Sequence, residues 1–203
     1  MPIVDKANGL LAEFAILPAE PDNQASLVAR AIQNIDTLKH HPGFASGTVL
    51  RSRDGIRVTS YVQWRDLASY VATQSFADIA DLDLHIFEIF AAEPESTALQ
   101  LSPNMSGLIN FGIFKMKQPE NQPRFIELFR QALEMVSGQA GLISTHAHRS
   151  FDGWRCINFG HWESLEKFAA MDSNRPFSPL FGEMLELADN EYQKTLHEVV
   201  FIA

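Results

Sequence analysis

Apolar residues along this chain fall into short blocks that alternate between two spacings. "LLAEFAIL" (Leu10–Leu17) and "LINFGIFKM" (Leu108–Met116) are near-continuous apolar runs of strand length. Each is followed by a Pro/Asn loop and then by apolar residues at helical spacing. These are Leu27, Ala31, Ile35 and Leu38 after the first run, and Phe125, Phe129, Leu133 and Val136 after the second. Asn23 and Asn121 stand where N-caps are expected. "PGFASGTVLRS" and "AGLISTHAHRS" then return to extended patterning, each ending at an Asp-Gly pair, Asp54-Gly55 or Asp152-Gly153. Asp-Gly favours a hairpin because tight turns need positive φ. The return strands are Arg57–Trp64 and Arg155–Trp162, and second helices are predicted from near Asp66 and Ser164. "LHIFEIFA" (Leu84–Ala91) and "LHEVVFIA" (Leu196–Ala203) read as closing strands.

The order β-α-β-β-α-β is that of a ferredoxin-like unit, and it occurs twice. Gly9–Ala72 aligns on Gly107–Ala170 at an ungapped offset of 98, with 16 identities in 64 pairs. Average composition gives about four by chance. The expected fold class is therefore α+β, with two tandem ferredoxin-like units over residues 1–98 and 99–203. Helices cover one face of each sheet, so packing the bare faces together makes an intramolecular dimeric α+β barrel. The closing strands are offset by 112, which predicts 14 extra residues in the second unit around "MDSNRPFSPLFGEMLELADNEYQ".

Charge and composition narrow the partners. The 203 residues are 46% hydrophobic and 20% charged, with 25 acidic against 16 basic side chains and a net charge of −9. No Lys/Arg run offsets that balance, so no nucleic-acid partner is expected. No apolar run is long enough to span a membrane, and the first residues lack a secretory signal pattern, so a cytoplasmic location is expected. The single cysteine, Cys156, excludes an internal disulfide and a cysteine-based zinc cage.

Several motifs carry a family resemblance. "HPGF" (His41–Phe44) opens the second strand, and the Arg-Ser-x-Asp-Gly hairpin occurs twice, from Arg51 and from Arg149. Trp64 and Trp162 close the third strands, and "SPLFGEMLEL" (Ser178–Leu187) follows the last helix of the repeat. Together these resemble the antibiotic biosynthesis monooxygenase family. The resemblance implies the dimeric α+β barrel. For members that oxidise anthrones to quinones, it also implies chemistry without flavin, haem or metal, in which the substrate is the reductant. It further implies a site made of a first-strand asparagine, an asparagine four residues before the tryptophan, and that tryptophan. Here these are Asn110, Asn158 and Trp162. In the ungapped alignment the first repeat has Ala12, Ser60 and Trp64, so it reads as degenerate.

The residues support part of this independently. Asn158, Gly160 and Trp162 share one face of their strand, as do Asn110, Gly112 and Phe114. The aligned first-repeat residues at the two glycines are Val62 and Phe14. Two asparagines and two glycines on neighbouring core strands describe a cavity with polar fixtures. An unsatisfied buried amide costs about 1–3 kcal/mol; a substrate oxygen, a nearby carbonyl or an ordered water would each relieve that. Trp162 is a ligand contact or simply core, and Phe114 and Phe168 are candidate aromatic walls.

His146 and His148 alternate and so share a face. They are candidate substrate-binding residues or the pocket's acid/base, with solvent-facing and interface roles as alternatives. They could pair on a metal, but a third ligand is not evident, so none is expected. His85 and His197 recur as "LH", which suggests a structural role.

The expected function is cofactor-independent oxidation of an aromatic polyphenol or anthrone-like substrate to a quinone by dioxygen. A small-aromatic-binding or structural barrel is the alternative, and homodimerisation of the pseudo-dimeric chain stays open. The resemblance also includes a haem-degrading branch, but its second-helix histidine is missing from "RDLASYVATQSF" and "ESLEKFAAMDSN".

Overall fold

A computed structural model describes residues 1–73, 86–173, 178–191 and 195–203. His85 lies outside them. The first half contains β1 (Ile3–Val4), β2 (Leu11–Pro18), α1 (Gln24–Leu38), β3 (Phe44–Ser52), β4 (Arg57–Trp64), α2 (Leu67–Val71) and β5 (Ile86–Glu93). β6 (Leu99–Gln100) pairs with β1 across the connection. The second half contains β7 (Leu108–Met116), α3 (Gln122–Val136), β8 (Leu142–Ser150), β9 (Arg155–Trp162), α4 (Leu165–Ser173), α5 (Ser178–Leu187), β10 (Ala188–Asn190) and β11 (Leu196–Ile202).

The sheet closes on itself in the antiparallel order β7-β11-β3-β4-β2-β5-β8-β9 and back to β7. Two sheets packed face to face were expected, but they are also joined edge to edge. β5 of the first half pairs along β8 of the second, and β11 pairs along β3. Closure leaves none of these strands with a free edge, which is the physical advantage of a barrel over a sandwich. The lumen is a packed core. Phe14 makes edge contacts with Tyr61, Phe87 and Phe111, at centroid distances of 5.0, 5.2 and 6.1 Å.

Helices cover the outer face. α1 seats Ala31 and Ile35 on Val49, Val58 and Val62, and α3 seats Phe125, Phe129 and Leu133 against Phe114, Ala147 and Cys156. Both hairpins turn at left-handed glycines, Gly55 (φ +84°) and Gly153 (φ +82°). Asp66 Oδ1 and Ser164 Oγ cap the second helices, accepting from Ser69 N at 2.7 Å and Lys167 N at 3.2 Å. Asn23 and Asn121 occupy cap positions without capping. Asn23 Oδ1 accepts from Glu20 N at 2.9 Å, and Asn121 Nδ2 donates to Leu187 O at 3.0 Å, tying the start of α3 to the end of α5.

The strand registers correct the repeat alignment in two places. Trp64 pairs with Leu11 and Trp162 with Leu108, so β2 and β7 correspond at an offset of 97, not 98. The structural counterpart of Asn110 is therefore Glu13, and that of Gly112 is Ala15. Ala12 belongs to the lumen cluster, with Phe14 packed against it. At the closing strands, Phe87 opposes Ser150 and His197 opposes Ser52. That offset is 110, so the second half carries 12 extra residues, not 14. His197 corresponds to Phe87 and not to His85.

Candidate functional site

Between the outer face of β7–β9 and the helices α3, α4 and α5 lies a cavity of about 110 Å³. Its floor includes Asn110, Gly112 and Phe114 of β7, Thr145 of β8, and Asn158 and Trp162 of β9. Phe129 and Leu133 of α3, Phe168 and Met171 of α4, and Phe181 and Met184 of α5 roof it. Strand alternation explains the floor, because Asn110, Gly112 and Phe114 face outward while Ile109, Phe111 and Ile113 face the lumen. Five of the seven residues singled out in the sequence thus meet in one place: Asn110, Asn158, Trp162, Phe114 and Phe168.

The polar groups are arranged with some precision. Thr145 Oγ1 donates to Asn158 Oδ1, which fixes the amide and leaves its Nδ2 to the cavity. A Cβ built on Gly160 would sit 3.0 Å from Trp162 Nε1 and 3.6 Å from Asn158 Nδ2. Two N–H donors therefore flank the same empty space above Gly160. Neither has a hydrogen-bond partner among the described residues. Asn110 is 5% exposed, and its Nδ2 lies 3.5 Å from Thr195 O at the head of β11. Phe168 packs edge-on to Trp162 with ring centroids 5.4 Å apart.

The corresponding place in the first half is filled. Trp64 Nε1 donates to Glu13 Oε2 at 3.0 Å, and Val62 stands where the second half has Gly160. Burial raises the Glu13 carboxyl above its ordinary range, against the lowering effect of the Trp64 hydrogen bond. α1 rests directly on the sheet: a Cβ on Gly47 would come within 2.5 Å of Ile35 Cγ2. In β8 the matching position is Thr145, which lines the cavity.

His146 and His148 do not line this cavity. Thr145 and Ala147 take the helix-facing positions of β8, so the two histidines point into the lumen and are fully buried. His146 Nε2 lies 2.8 Å from Thr97 O, and His148 Nε2 lies 3.4 Å from the Tyr61 hydroxyl. Desolvation, with the neighbouring His146 adding to it, pushes the His148 pKa down to about 3. The cavity lining contains no ionisable side chain among the described residues. Nor, among those residues, do three or more His, Cys, Asp and Glu cluster to hold a metal ion.

Two further polar cavity residues, Thr145 and Asn190, and the apolar roof apart from Phe168 were missed from the sequence. Thr145 lies on the strand face opposite the two histidines, and alternation alone does not say which of the two faces meets the helices. Asn190 lies beyond Ala170, where the ungapped repeat alignment ends and the repeat gives no guide.

Comparison with known proteins agrees with this architecture. Residues 112–178 match the family model "Antibiotic biosynthesis monooxygenase". The tetracenomycin-F1 monooxygenase of Streptomyces glaucescens is 33% identical over 73 residues, covering 36% of this chain; the chain spans 65% of that protein's length. The crystal structure of an anthrone oxidase-like protein superposes over 100% of this chain and 96% of its own, with a TM-score of 0.79 at 15% identity. A major regulator of staphylococcal pathogenesis also shares the fold, covering 93% of this chain and 98% of its own, with a TM-score of 0.56 at 9% identity. The fold alone therefore accompanies more than one kind of activity. The chain has a dimeric α+β barrel architecture, and its second half carries the match to the antibiotic biosynthesis monooxygenase family model, over residues 112–178.

Proposed function

We propose that the chain is a cofactor-independent monooxygenase that oxidises an aromatic polyphenol or anthrone-like substrate to a quinone, with its site in residues 99–203. The observation that carries this reading is the pair of unpartnered donors, Asn158 Nδ2 and Trp162 Nε1, flanking the space above Gly160. Fixed N–H groups in a water-poor cavity stabilise negative charge on an oxygen placed between them. An anthrone carbonyl becomes such an oxygen when the ring carbon loses a proton. Asn110 adds a second side-chain amide to the same floor.

The chemistry balances without another reductant. Deprotonation of the ring CH₂ gives an enolate, which passes one electron to dioxygen. The resulting radical and superoxide combine to a peroxide at that carbon, which is then protonated. Loss of water leaves a carbonyl, so CH₂ and O₂ become C=O and H₂O. The apolar walls hold the ring and exclude water from the peroxide. With no ionisable side chain lining the cavity among the described residues, the proton passes to water, and the donors' task is to make the anion accessible.

At about 110 Å³ the space is smaller than the ~150 Å³ that admits benzene, so binding displaces part of the helical roof. The names of the similar proteins, a tetracenomycin-F1 monooxygenase and an anthrone oxidase-like protein, support the same substrate class. The test is oxygen uptake by metal-stripped protein with a panel of anthrones and dihydroxynaphthalenes, beside Asn158→Ala. Uptake that survives chelator and collapses in the variant is expected. Wild-type rates equal to the no-enzyme background across the panel would leave a small-aromatic-binding barrel as the better reading.

A further inference from the structure

The cavity has a second polar end. Asn190, the last residue of β10, lines it, and its Oδ1 is buried with no hydrogen-bond partner among the described residues. β10 pairs with β7 so that Asn190 stands directly opposite Phe114, itself on the cavity floor. Residues paired in this way point to the same side of the sheet, so the Asn190 amide faces the cavity. A buried acceptor left open costs about 1–3 kcal/mol, and something that fills the cavity can relieve it.

Position decides what that something is. Asn158 opposes Gly112 on the other side of β7, two residues along from Phe114. Two strand spacings across and two residues along separate the Cα atoms of Asn190 and Asn158 by about 12 Å. With the helical roof displaced, a fused two-ring body matches that span in length, with a hydrogen bond at each end. One end offers N–H donors to an oxygen, and the other offers an acceptor to a hydroxyl.

We infer that Asn190 is a specificity-determining residue, selecting substrates that carry a hydroxyl on the ring remote from the reacting carbonyl. This rests on the donor pair of the proposed oxygenase site binding the carbonyl. β10 and its asparagine follow the last position at which the two halves align without a gap, and the cavity they line belongs to the second half. Sites built to bond a hydroxyl reject analogues lacking it much more strongly than apolar pockets distinguish a methylene.

The experiment is calorimetric titration of two unreactive ketones, 1-tetralone and 6-hydroxy-1-tetralone, into the wild-type chain, Asn190→Leu and Asn158→Ala. Wild type should bind the hydroxylated ketone at least tenfold more tightly. Asn190→Leu should bring that ratio to about one while leaving 1-tetralone affinity unchanged or improved, and Asn158→Ala should weaken both ketones. Equal affinity of wild type for the two ketones, or a ratio that survives Asn190→Leu, overturns the role of Asn190 and leaves the donor site standing. Absence of binding by either ketone overturns both readings.

Discussion

The Trp64 indole N–H donates to Glu13 Oε2 at 3.0 Å, whereas Trp162 keeps its N–H open to a cavity. The two tryptophans occupy matching places in the barrel, and the partner at the first-strand position decides between them: Glu13 in one half, Asn110 in the other. Asn110→Glu is expected to reproduce the closed arrangement by placing a carboxylate beside Trp162. Turnover of the best substrate should fall at least ~100-fold, in line with loss of an oxyanion donor, while near-ultraviolet dichroism stays native. A variant that retains wild-type turnover would show that the open N–H has no part in the reaction.

Gly160 gives a steric version of the same test. A Cβ there meets Trp162 Nε1 at 3.0 Å, and the first half carries a buried Val62 at that position. Gly160→Val should therefore fold, with a melting temperature within a few degrees of wild type, and yet bind no aromatic ketone. Thermal denaturation and titration calorimetry on one preparation check both halves of the statement. Ligand binding at wild-type affinity would place the ligand elsewhere.

Much of this was legible in the sequence, and the gaps have physical causes. The hairpin block aligned without error because Asp-Gly turns and closing tryptophans occupy singular positions. β7 gave no such anchor. It is buried on both faces over most of its length, so a one-residue slip leaves it just as apolar. That slip put Ala12 in the place of Glu13 and hid the Glu13–Trp64 bond. The closing strands slipped by two residues, which preserves the face on which each side chain lies and so cannot be seen in the pattern. His146 and His148 share a face, as their spacing requires. Which face depends on Thr145 and Ala147 being the helix-facing pair, a tertiary fact.

The buried histidines make the activity's pH dependence diagnostic. His148 and His197, with pKa values pushed down to about 3 and about 4 by burial, stay neutral from pH 5 to 9 and lie across the sheet from the cavity. The rate should therefore rise with pH along the substrate's own ionisation, with no limb from the protein. Initial rates over that range, for wild type and His146→Gln, decide it. A wild-type limb near pH 6–7 that disappears in the variant would make His146 the base and refute a base-free cavity.

The same histidines tie stability to pH. Both are neutral in the folded barrel well below the ordinary histidine value, whereas the unfolded chain protonates them near pH 6.5. Unfolding thus takes up protons between about pH 6.5 and the folded values, so their contribution is complete above pH 6.5 and is lost as pH falls toward 4 and then 3. Each site contributes about 1.4 kcal/mol per pH unit within that window. Leu50 is the first-half counterpart of His148 and faces the same lumen, so His148→Leu keeps the packing direction and deletes one titrating site. Urea unfolding at pH 7.5 and pH 5.0 should give the variant a shallower loss of stability on acidification, by about 2 kcal/mol. Identical losses in the two proteins would mean that His148 is not held neutral in the lumen.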